Sequence, residues 1–443
     1  MDDPSQGGNP RRLTAANPLA GRLTELREGG DLCDDIEATC RRLEQTEDLL
    51  QALLPEEGRR ARLLREAAEL ESRFPDSQRR PSLFGALVGV KDIFHVSGFA
   101  TRAGTSLPTG LFAGKGEAAS VTRLRDAGAL ILGKTVTTEF AYFEPGPTCN
   151  PHDPAHTPGG SSSGSAAAVA AGYCPLALGT QTVGSVIRPA AFCGIVGFKP
   201  SYDRIDSAGL IFSAPSVDTV GLFTQDALGM QLAAAAICRD WTDAAVVCER
   251  PTLGIPVGPY LEQVPDEGMR HFERQVTQLE HAGYAVCRAS FLADIDDINR
   301  RHRLLQAGEM ARVHGEWFSR YEHLYRPKTA EIIRAGLTVR TADLERARAG
   351  RIELRTAIRS AMAAAEVDLW ICPPAPGPAP RGLDSTGDPV MNLPWTHAGV
   401  PALSLPAGTA DGGLPLGLQC VAGYGRDEAL LTWGIELEEV LKR

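Results

Sequence analysis

The feature that most constrains the fold is a stretch of 44 residues, Thr157–Pro200, which is rich in glycine and serine and yet largely apolar. Eight glycines lie in it, and its only charged residues are Arg188 and Lys199. Glycines open backbone amides to close approach, which suits an anion or oxyanion, whereas the apolar content argues against a linker. Ser185 lies in a second glycine-bearing turn, and we interpret it as a presented nucleophile.

A serine nucleophile needs a base, and the stretch contains no His, Asp or Glu. Upstream, the strand-like run Leu87–Phe94 (LVGVKDIF) is interrupted by Lys91. Burial in such a run disfavours the ammonium form, and a neutral lysine is a competent base. An ordinary explanation also exists, because Gly/Ser stretches often connect elements and a lysine at a strand end often reaches solvent.

Several motifs together resemble those of the amidase signature enzymes, and their order and spacing extend over residues 80 to 440. The form GTQT…GSVIRPA is similar to that of malonamidase-type members. The motifs are GVKD (89–92), GGSSSGS (159–165), GTQTVGSVIRPAAFCGIVGFKP (179–200), LPWTHAGVPALSLPAG (393–408) and GLPLGLQ (413–419).

The resemblance implies a Ser-Ser-Lys triad in which Lys91 is the base, Ser161 the bridging serine and Ser185 the nucleophile. It also implies a cis peptide bond between Gly160 and Ser161. Backbone amides of the loop that ends at the nucleophile would stabilise the oxyanion of the tetrahedral intermediate. These donors are the N–H groups of Thr182, Val183, Gly184 and Ser185.

The function that the resemblance implies is amide hydrolysis through an acyl-enzyme. Ser185 attacks the carbonyl, Lys91 and Ser161 deliver its proton to the departing amine, and water releases the acyl group. The alternative is an amidotransferase or acyltransferase that passes the acyl group to ammonia, an amine or hydroxylamine. A non-catalytic member that retains only the fold is disfavoured by the intact triad residues. No cofactor or metal is needed.

The central motif differs from that of many relatives, which have Asp in GTDxGGSxR where this chain has Gln181. That Asp would be an ionic partner for the motif arginine, so we expect Arg188 to lack a local carboxylate. In malonamidase-type members, which the motif form resembles, the matching arginine holds a substrate carboxylate. The resemblance therefore implies that Arg188 binds a small carboxylate-bearing amide bidentately. A structural partner elsewhere is the alternative for Arg188. Val183 replaces the usual Gly and either narrows the space above the nucleophile or serves packing.

Composition and charge exclude several classes of function. The chain has 443 residues, 43% of them hydrophobic, and 45 basic against 55 acidic residues give a net charge of −10. This balance argues against nucleic acid or an anionic membrane as the main partner, and no apolar run approaches the ~20 residues of a membrane span. Ten cysteines without a C-x-x-C pair indicate reduced thiols. We therefore predict a cytoplasmic enzyme that acts on a small-molecule amide.

Two other patterns are false leads. The run GALILGKT (128–135) satisfies the P-loop pattern, but its variable positions are a buried-strand run rather than an exposed turn. His152 and His156 lie four residues apart, but the prolines around them exclude a helix that would place both on one metal. His302 and His314 lie in charge-rich helical sequence, and we predict them at the surface.

The expected fold is a single large α/β/α domain with a mixed, mostly parallel central sheet flanked by helices. Residues 1–30 are predicted to be disordered, and residues 31–80 to form helices packed on the core, with an outer face available to a homodimer partner. Residues 81–240 form the amidase core with the triad, residues 241–370 a variable helical part that caps the site, and residues 371–443 the C-terminal part of the core.

Five further residues are expected near the site. Three of them belong to a segment that resembles the substrate-facing loop of the family, and packing in the structure is the alternative for each of these three. The other two follow the strand DLWICPP (368–374), where the family pattern returns. They are Tyr142, Phe143 and Glu144, and Trp395 and Thr396.

Overall fold

A single sheet forms the centre of the fold. The computed structural model describes residues 13–242 and 249–443. The strands are β1 (Leu87–Lys91), β2 (Leu130–Thr135), β3 (Leu176–Gln181), β4 (Val196–Lys199), β5 (Thr219–Thr224), β6 (Leu253–Val257), β7 (Val286–Ser290), β8 (Leu369–Cys372), β9 (Ala402–Thr409) and β10 (Pro415–Val421). Their order across the sheet is β2-β1-β3-β5-β4-β9-β10-β8-β6-β7.

Helices precede, follow and connect these strands. They are α1 (Leu19–Arg27), α2 (Leu32–Leu50), α3 (Arg59–Arg73), α4 (Ala119–Asp126), α5 (Ser163–Ala170), α6 (Ile187–Cys193), α7 (Ala227–Ile237), α8 (Asp266–His281), α9 (Ile295–Tyr321), α10 (Pro327–Leu337), α11 (Thr341–Ala365), α12 (Leu393–Ala398) and α13 (Asp427–Leu441). None of the helices in the described residues combines the length and apolarity needed to cross a membrane.

Alternate residues of the strands pack into two separate apolar clusters. Leu130 and Leu132 belong to one cluster, whereas Ile131 between them belongs to the other. Because successive side chains of a strand point to opposite faces, the two clusters are the two faces of the sheet. Helices cover both faces, and for this reason β1, β2 and β3 are buried along their whole length and consist largely of apolar residues.

The predicted mixed sheet flanked by helices is confirmed. Among the described strands, four of the nine pairings are parallel and five are antiparallel. Parallel pairing occupies the two ends of the sheet, β2-β1-β3 and β8-β6-β7. The centre is antiparallel, because β9 and β10 are joined by a short turn and β5 runs against both β3 and β4.

The prediction of disorder over residues 1–30 is wrong for residues 13–30. Residues 1–12 lie outside the described residues, but α1 follows soon after them and buries three leucines at helical spacing. The amide of Leu13 also donates to the carbonyl of Pro151 at 2.8 Å. A short apolar stripe within polar sequence is sufficient to fix this segment on the core.

The helices predicted between residues 31 and 74 are present as α2 and α3, separated around Pro55. Arg62 of α3 donates to the carbonyls of Ile131 and Leu132 at 3.0 and 3.2 Å and pairs with Glu56. These bonds hold α3 against β2, the edge strand of the sheet.

Residues 241–370 do more than cap the fold. β6 and β7 extend the central sheet, whereas α9, α10 and α11 form the helical part. The prediction that His302 and His314 lie at the surface is wrong, because both are fully buried on the inner face of α9. His314 contacts the ring of Phe140 at 4.4 Å between centroids, and His302 lies 3.3 Å from His397 between their Nδ1 atoms.

We predict that Gly164→Ala destabilises the protein although Gly164 lies inside α5. A Cβ there would collide with the carbonyl of Ala52 and the backbone of Val136, and such overpacking costs about 1–3 kcal/mol. The matched control is Gly315→Ala in α9, where the space is open and a helical Gly→Ala change stabilises by up to ~1 kcal/mol. Thermal melts should show opposite signs for the two variants, and equal shifts would contradict the packing of α5.

Candidate active site

Two parallel strands bring the sequence-predicted residues to one edge of the sheet. β1 ends at Lys91, β3 ends at Gln181, and the two strands pair in parallel. The carboxyl ends of parallel neighbours meet at the same edge, which is the usual location of binding sites in such sheets. The loop after β3 contains Ser185, and α6 begins two residues later.

Lys91 and Ser161 are in direct contact. Lys91 Nζ donates to Ser161 Oγ at 2.7 Å and to Thr180 Oγ1 at 2.9 Å. Lys91 has no exposed surface and Ser161 only 3%. A proton can therefore pass between these two side chains without bulk water.

The other serines of the GGSSSGS motif have structural partners. Ser162 is bonded to the amide and the carbonyl of Thr180, both at 3.3 Å. Ser163 donates to the carbonyl of Val136, and Ser165 to that of Leu178 at 2.8 Å. These bonds tie α5 to the strands, and only the first serine of the run bonds to the lysine.

Gly160 fits a crowded position next to Ser161. The peptide bond between these two residues is cis, as the resemblance implies. A Cβ on Gly160 would lie 2.6 Å from Thr386 Cγ2, so a larger residue would displace the chain. The carbonyl of Gly160 accepts a hydrogen bond from Arg188 Nη2 at 2.7 Å, which fixes the segment before the serine.

The loop between β3 and α6 presents its amides and its serine. Within the described residues, the N–H groups of Thr182, Val183, Gly184 and Ser185 make no backbone hydrogen bond. Ser185 keeps 8% of its surface exposed, whereas Lys91 is fully covered. This arrangement leaves donors and hydroxyl available to a ligand at the loop.

Two contacts hold this loop in shape. The carbonyl of Val183 accepts from Thr396 Oγ1 at 2.6 Å, and the Val183 side chain packs into the core at 6% exposure. A Cβ on Gly184 would collide with Asn392 Oδ1, so glycine is required for this close approach. Thr396 thus lies beside the site as the sequence predicts, whereas Trp395 points away and donates to the hydroxyl of Tyr260 at 2.9 Å.

Gln181 organises the start of α6. Its Oε1 accepts from the amides of Val186 and Ile187 at 2.8 and 3.0 Å, and its Nε2 donates to Thr396 Oγ1 at 2.9 Å. A neutral amide supplies both the acceptor that the first helical amides need and a donor for the threonine. Gln181 consequently contributes no charge to neighbouring Arg188.

Arg188 is a buried cation that forms no ion pair with a carboxylate in residues 13–242 and 249–443. It is 1% exposed, and its Nη2 donates to the carbonyl of Gly160 and to Thr386 Oγ1 at 2.7 and 3.1 Å. Its Nε and Nη1 atoms have no hydrogen-bond acceptor among the described residues. Burial lowers the pKa of Arg188 to about 10, opposed only by the charge of Asp388. At neutral pH Arg188 is therefore a charged group with two free donors.

Burial also sets the protonation of the base. It lowers the pKa of Lys91 to about 7, and the charge of Asp218 opposes this shift. The lysine of the rejected P-loop pattern differs, because Lys134 Nζ lies within β2 and forms an ion pair with Asp92 at 2.7 Å. Lys91 has no such direct ion pair among the described residues, and near neutral pH a large fraction of it is the free amine.

Several residues near the site escaped sequence reasoning. Thr180, Asp218, Thr386 and Asn392 all contact the candidate residues or the loop that carries them. Thr386 and Asn392 come from the segment between β8 and α12, which lies about 200 positions from the triad motifs and carries no chemical signature of its own. Thr180 and Asp218 could have been found from strand register, since Thr219 pairs with Gln181.

Of the three predicted pocket residues, Glu144 has structural contacts, whereas for Tyr142 and Phe143 the pocket role stays a prediction. Glu144 accepts from the amide of Lys328 and pairs with Arg326 at 3.3 Å, and so holds the start of α10. Tyr142 and Phe143 pack edge to face at 4.9 Å between ring centroids. Glu144 is therefore occupied by structural contacts.

Comparison with known proteins defines the class of this chain. The family model named Amidase matches residues 34–431. A glutamyl-tRNA(Gln) amidotransferase subunit of Thermus thermophilus is 34% identical over 429 residues, covering 86% of this chain and 88% of that protein. The corresponding protein of a Synechococcus strain is 31% identical over 457 residues, covering 90% and 91%.

Solved structures agree with this assignment. A crystal structure described as an amidase superposes with a TM-score of 0.87 at 32% identity, covering 96% of this chain and 100% of that one. Native peptide amidase from Stenotrophomonas maltophilia gives a TM-score of 0.78 at 26% identity, with 97% of each chain covered. The chain belongs to the amidase family, and it is an enzyme of the amidase and amidotransferase class.

We predict that activity on an amide rises with pH through an acidic limb near pH 7. The base must be neutral to accept a proton, and burial lowers the pKa of Lys91 to about 7. Below that pH the lysine is an ammonium ion and the rate falls. The measurement is kcat/KM from pH 5 to 9, and a rate that stays level down to pH 5 would contradict Lys91 as the base.

Proposed function

We propose that this enzyme hydrolyses the C–N bond of a small amide through an acyl-enzyme on Ser185. The observation that carries the proposal is the 2.7 Å hydrogen bond between Lys91 and Ser161, at the sheet edge where the loop of Ser185 begins. A buried lysine and serine in contact form a proton relay, and the loop supplies both the nucleophile and free amides.

The geometry supports a sequence of proton transfers. Ser185 Oγ attacks the amide carbon while Ser161 takes its proton and passes its own to neutral Lys91. The ammonium of Lys91 then returns a proton through Ser161 to the departing amine, because an amine leaves poorly without one. The amides of Thr182, Val183, Gly184 and Ser185 are the candidate donors to the oxyanion, and water completes the cycle.

We expect Ser161→Ala and Ser185→Ala to lose at least ~100-fold in kcat, since each removes a group in the proton path. Ser165→Ala is the matched control: it lies in the same run, but its hydroxyl bonds to Leu178 and Thr135. That variant should show a lower melting temperature with near-normal kcat. Labelling with a fluorophosphonate should modify Ser185 in the wild type, and retention of activity by purified Ser185→Ala would refute the assignment.

Arg188 supports a finer statement about the substrate. Its guanidinium is buried, charged and left with two unused donors, and an unpaired buried charge is costly. A substrate carboxylate would accept an N–H bond from an unused nitrogen of this guanidinium and neutralise the charge. Nearby Thr386 and the carbonyl of Gly160 fix the guanidinium plane. We therefore propose that the acyl donor is a small amide that carries a carboxylate.

The test uses Arg188→Gln and Arg188→Lys on a carboxylate amide and its methyl ester. Truncating one partner of a buried hydrogen-bonded charge pair costs about 2–5 kcal/mol, so kcat/KM for the acid should fall at least ~30-fold with Gln. Arg188→Lys keeps the positive charge but loses the planar guanidinium. Its kcat/KM for the acid should therefore lie between that of Arg188→Gln and that of the wild type. The methyl ester loses only the support that Arg188 gives to the Gly160 carbonyl, so its kcat/KM should fall much less than that of the acid in both variants. Parallel losses on both substrates would assign Arg188 a structural role.

The amidotransferase alternative has its own support, because the similar curated proteins are named as subunits of glutamyl-tRNA(Gln) amidotransferases. Transfer would require an acceptor to intercept the acyl-enzyme, or released ammonia to pass to a partner protein. Product analysis with added hydroxylamine separates the possibilities. Hydroxamate formed in preference to acid would favour transfer, and acid alone would favour hydrolysis. Size measurement of the purified protein tests the proposed homodimer.

A further inference from the structure

We propose that Asp218 is a positioning residue of this site, which stabilises the ammonium form of Lys91 created during acylation and fixes Thr182 at the start of the amide loop. The inference rests on the proposed function, because it assumes that Lys91 accepts the proton of Ser185. The sequence motifs do not mark Asp218, which lies between the central motif and the C-terminal core.

Each hydrogen bond of the Asp218 carboxylate comes from a donor, as expected for an ionised side chain. Its Oδ1 accepts from Thr182 Oγ1 at 2.5 Å, and its Oδ2 accepts from the amides of Ser213 and Ala214 at 2.7 and 2.9 Å. All three partners are donors, and a carboxylate accepts them without a proton of its own. The side chain is 7% exposed. The structure therefore holds a negative charge next to the site.

Strand register explains why this carboxylate reaches the loop. β3 and β5 are antiparallel, and Gln181, the last residue of β3, pairs with Thr219, the first residue of β5. Thr182 follows β3 and Asp218 precedes β5, so the antiparallel register places these two residues opposite one another where the sheet ends. Through the Thr182 hydroxyl, Asp218 is bonded to the first of the four residues that present free amides.

Asp218 and Lys91 act on one another electrostatically without a direct ion pair. Burial lowers the pKa of Lys91, and Asp218 is the charged group that opposes this shift. Burial raises the pKa of Asp218 to about 6, which its hydrogen bonds and the charge of Lys91 oppose. Tyr202 is the other titratable group on which the charge of Asp218 acts, and it is neutral below its raised pKa. Lys134 differs from Lys91 here, because it is in direct contact with Asp92 at 2.7 Å.

The lack of a direct ion pair between Asp218 and Lys91 matters for acylation, because Lys91 changes its charge during that step. Before attack, Lys91 is a neutral amine and Asp218 is an anion. On attack, the O–H bond of Ser185 breaks, its oxygen bonds to the amide carbon, and Ser161 relays the proton to Lys91 Nζ. The electron pair of the carbonyl moves to its oxygen. An ammonium and an oxyanion are thus created together, and the fixed charge of Asp218 stabilises the ammonium.

The test is the pH profile of kcat/KM for Asp218→Asn. Asn keeps the size, can accept the two amides through Oδ1 and can donate to Thr182 through Nδ2. Loss of the negative charge lowers the pKa of Lys91, so the acidic limb should move to lower pH by roughly one unit. The plateau of kcat should fall about tenfold, because the ammonium is less stable in the transition state.

The chain provides a matched control in Asp427→Asn. Asp427 is buried, accepts from the amide and hydroxyl of Ser201 at 2.7 and 2.6 Å, and acts on Lys199, whose pKa burial also lowers to about 7. It is therefore a similar buried carboxylate near a different buried lysine. Asp427→Asn should reduce the melting temperature and leave the acidic limb in place. Asp218→Glu keeps the charge and should also keep the limb near its wild-type pH.

The position of the limb does not depend on how much enzyme is folded, so partial misfolding does not obscure the result. An Asp218→Asn limb at the wild-type pH, or at higher pH, would overturn the inference. The proposed function fails separately: if the fluorophosphonate does not label Ser185 in the wild type, the relay itself is wrong. Labelling of Ser185 with an unmoved limb leaves the relay in place and removes only the role of Asp218.

Discussion

The hydrogen bond between Lys91 and Ser161 depends on a lysine that is buried and has no ion pair among the described residues. Taking an ammonium out of water is costly, and the protein relieves that cost by leaving the amine largely neutral. The sheet provides the burial, because β1 lies between β2 and β3 and helices cover both faces. A base of this kind therefore exists only inside the folded sheet, and the chemistry depends on the packing.

Three buried lysines of the sheet differ in the atoms that their ammonium or amine nitrogens contact. Lys134 pairs with Asp92, and Lys199 donates to the carbonyls of Pro200 and Val400 at 2.9 and 2.6 Å. Lys91 donates instead to two hydroxyl groups, which can both donate and accept protons. Burial is common to all three. Lys134 also contacts a hydroxyl group, that of Thr101 at 3.4 Å, but it is ion-paired to Asp92. Lys91 combines short bonds to two hydroxyl groups with the lack of an ion pair among the described residues.

Local motifs and strand ends encode the contact between Lys91 and Ser161, and for this reason sequence reasoning could predict it. Lys91, Ser161 and Ser185 lie within short recognisable patterns, and α/β order places strand ends together. Thr386 and Asn392 could not be located, because a distant segment brings them to the site only through tertiary packing. His302 was misplaced, since charged neighbours on one face of α9 conceal the buried face from a composition argument.

Gln181 serves the fold, whereas Arg188 is the residue that we propose for substrate specificity. The neutral amide of Gln181 caps α6, and the Arg188 guanidinium keeps two nitrogens without an acceptor among the described residues. The backbone geometry at the start of α6 is then stable without any ligand, because Gln181 satisfies its first amides. The electrostatic balance is less complete, because the buried charge of Arg188 has no direct ion pair among the described residues and only the charge of Asp388 acts on it. The free energy that stabilises the folded backbone here is therefore independent of a ligand, whereas the unused donors of Arg188 are what the proposed carboxylate would bind.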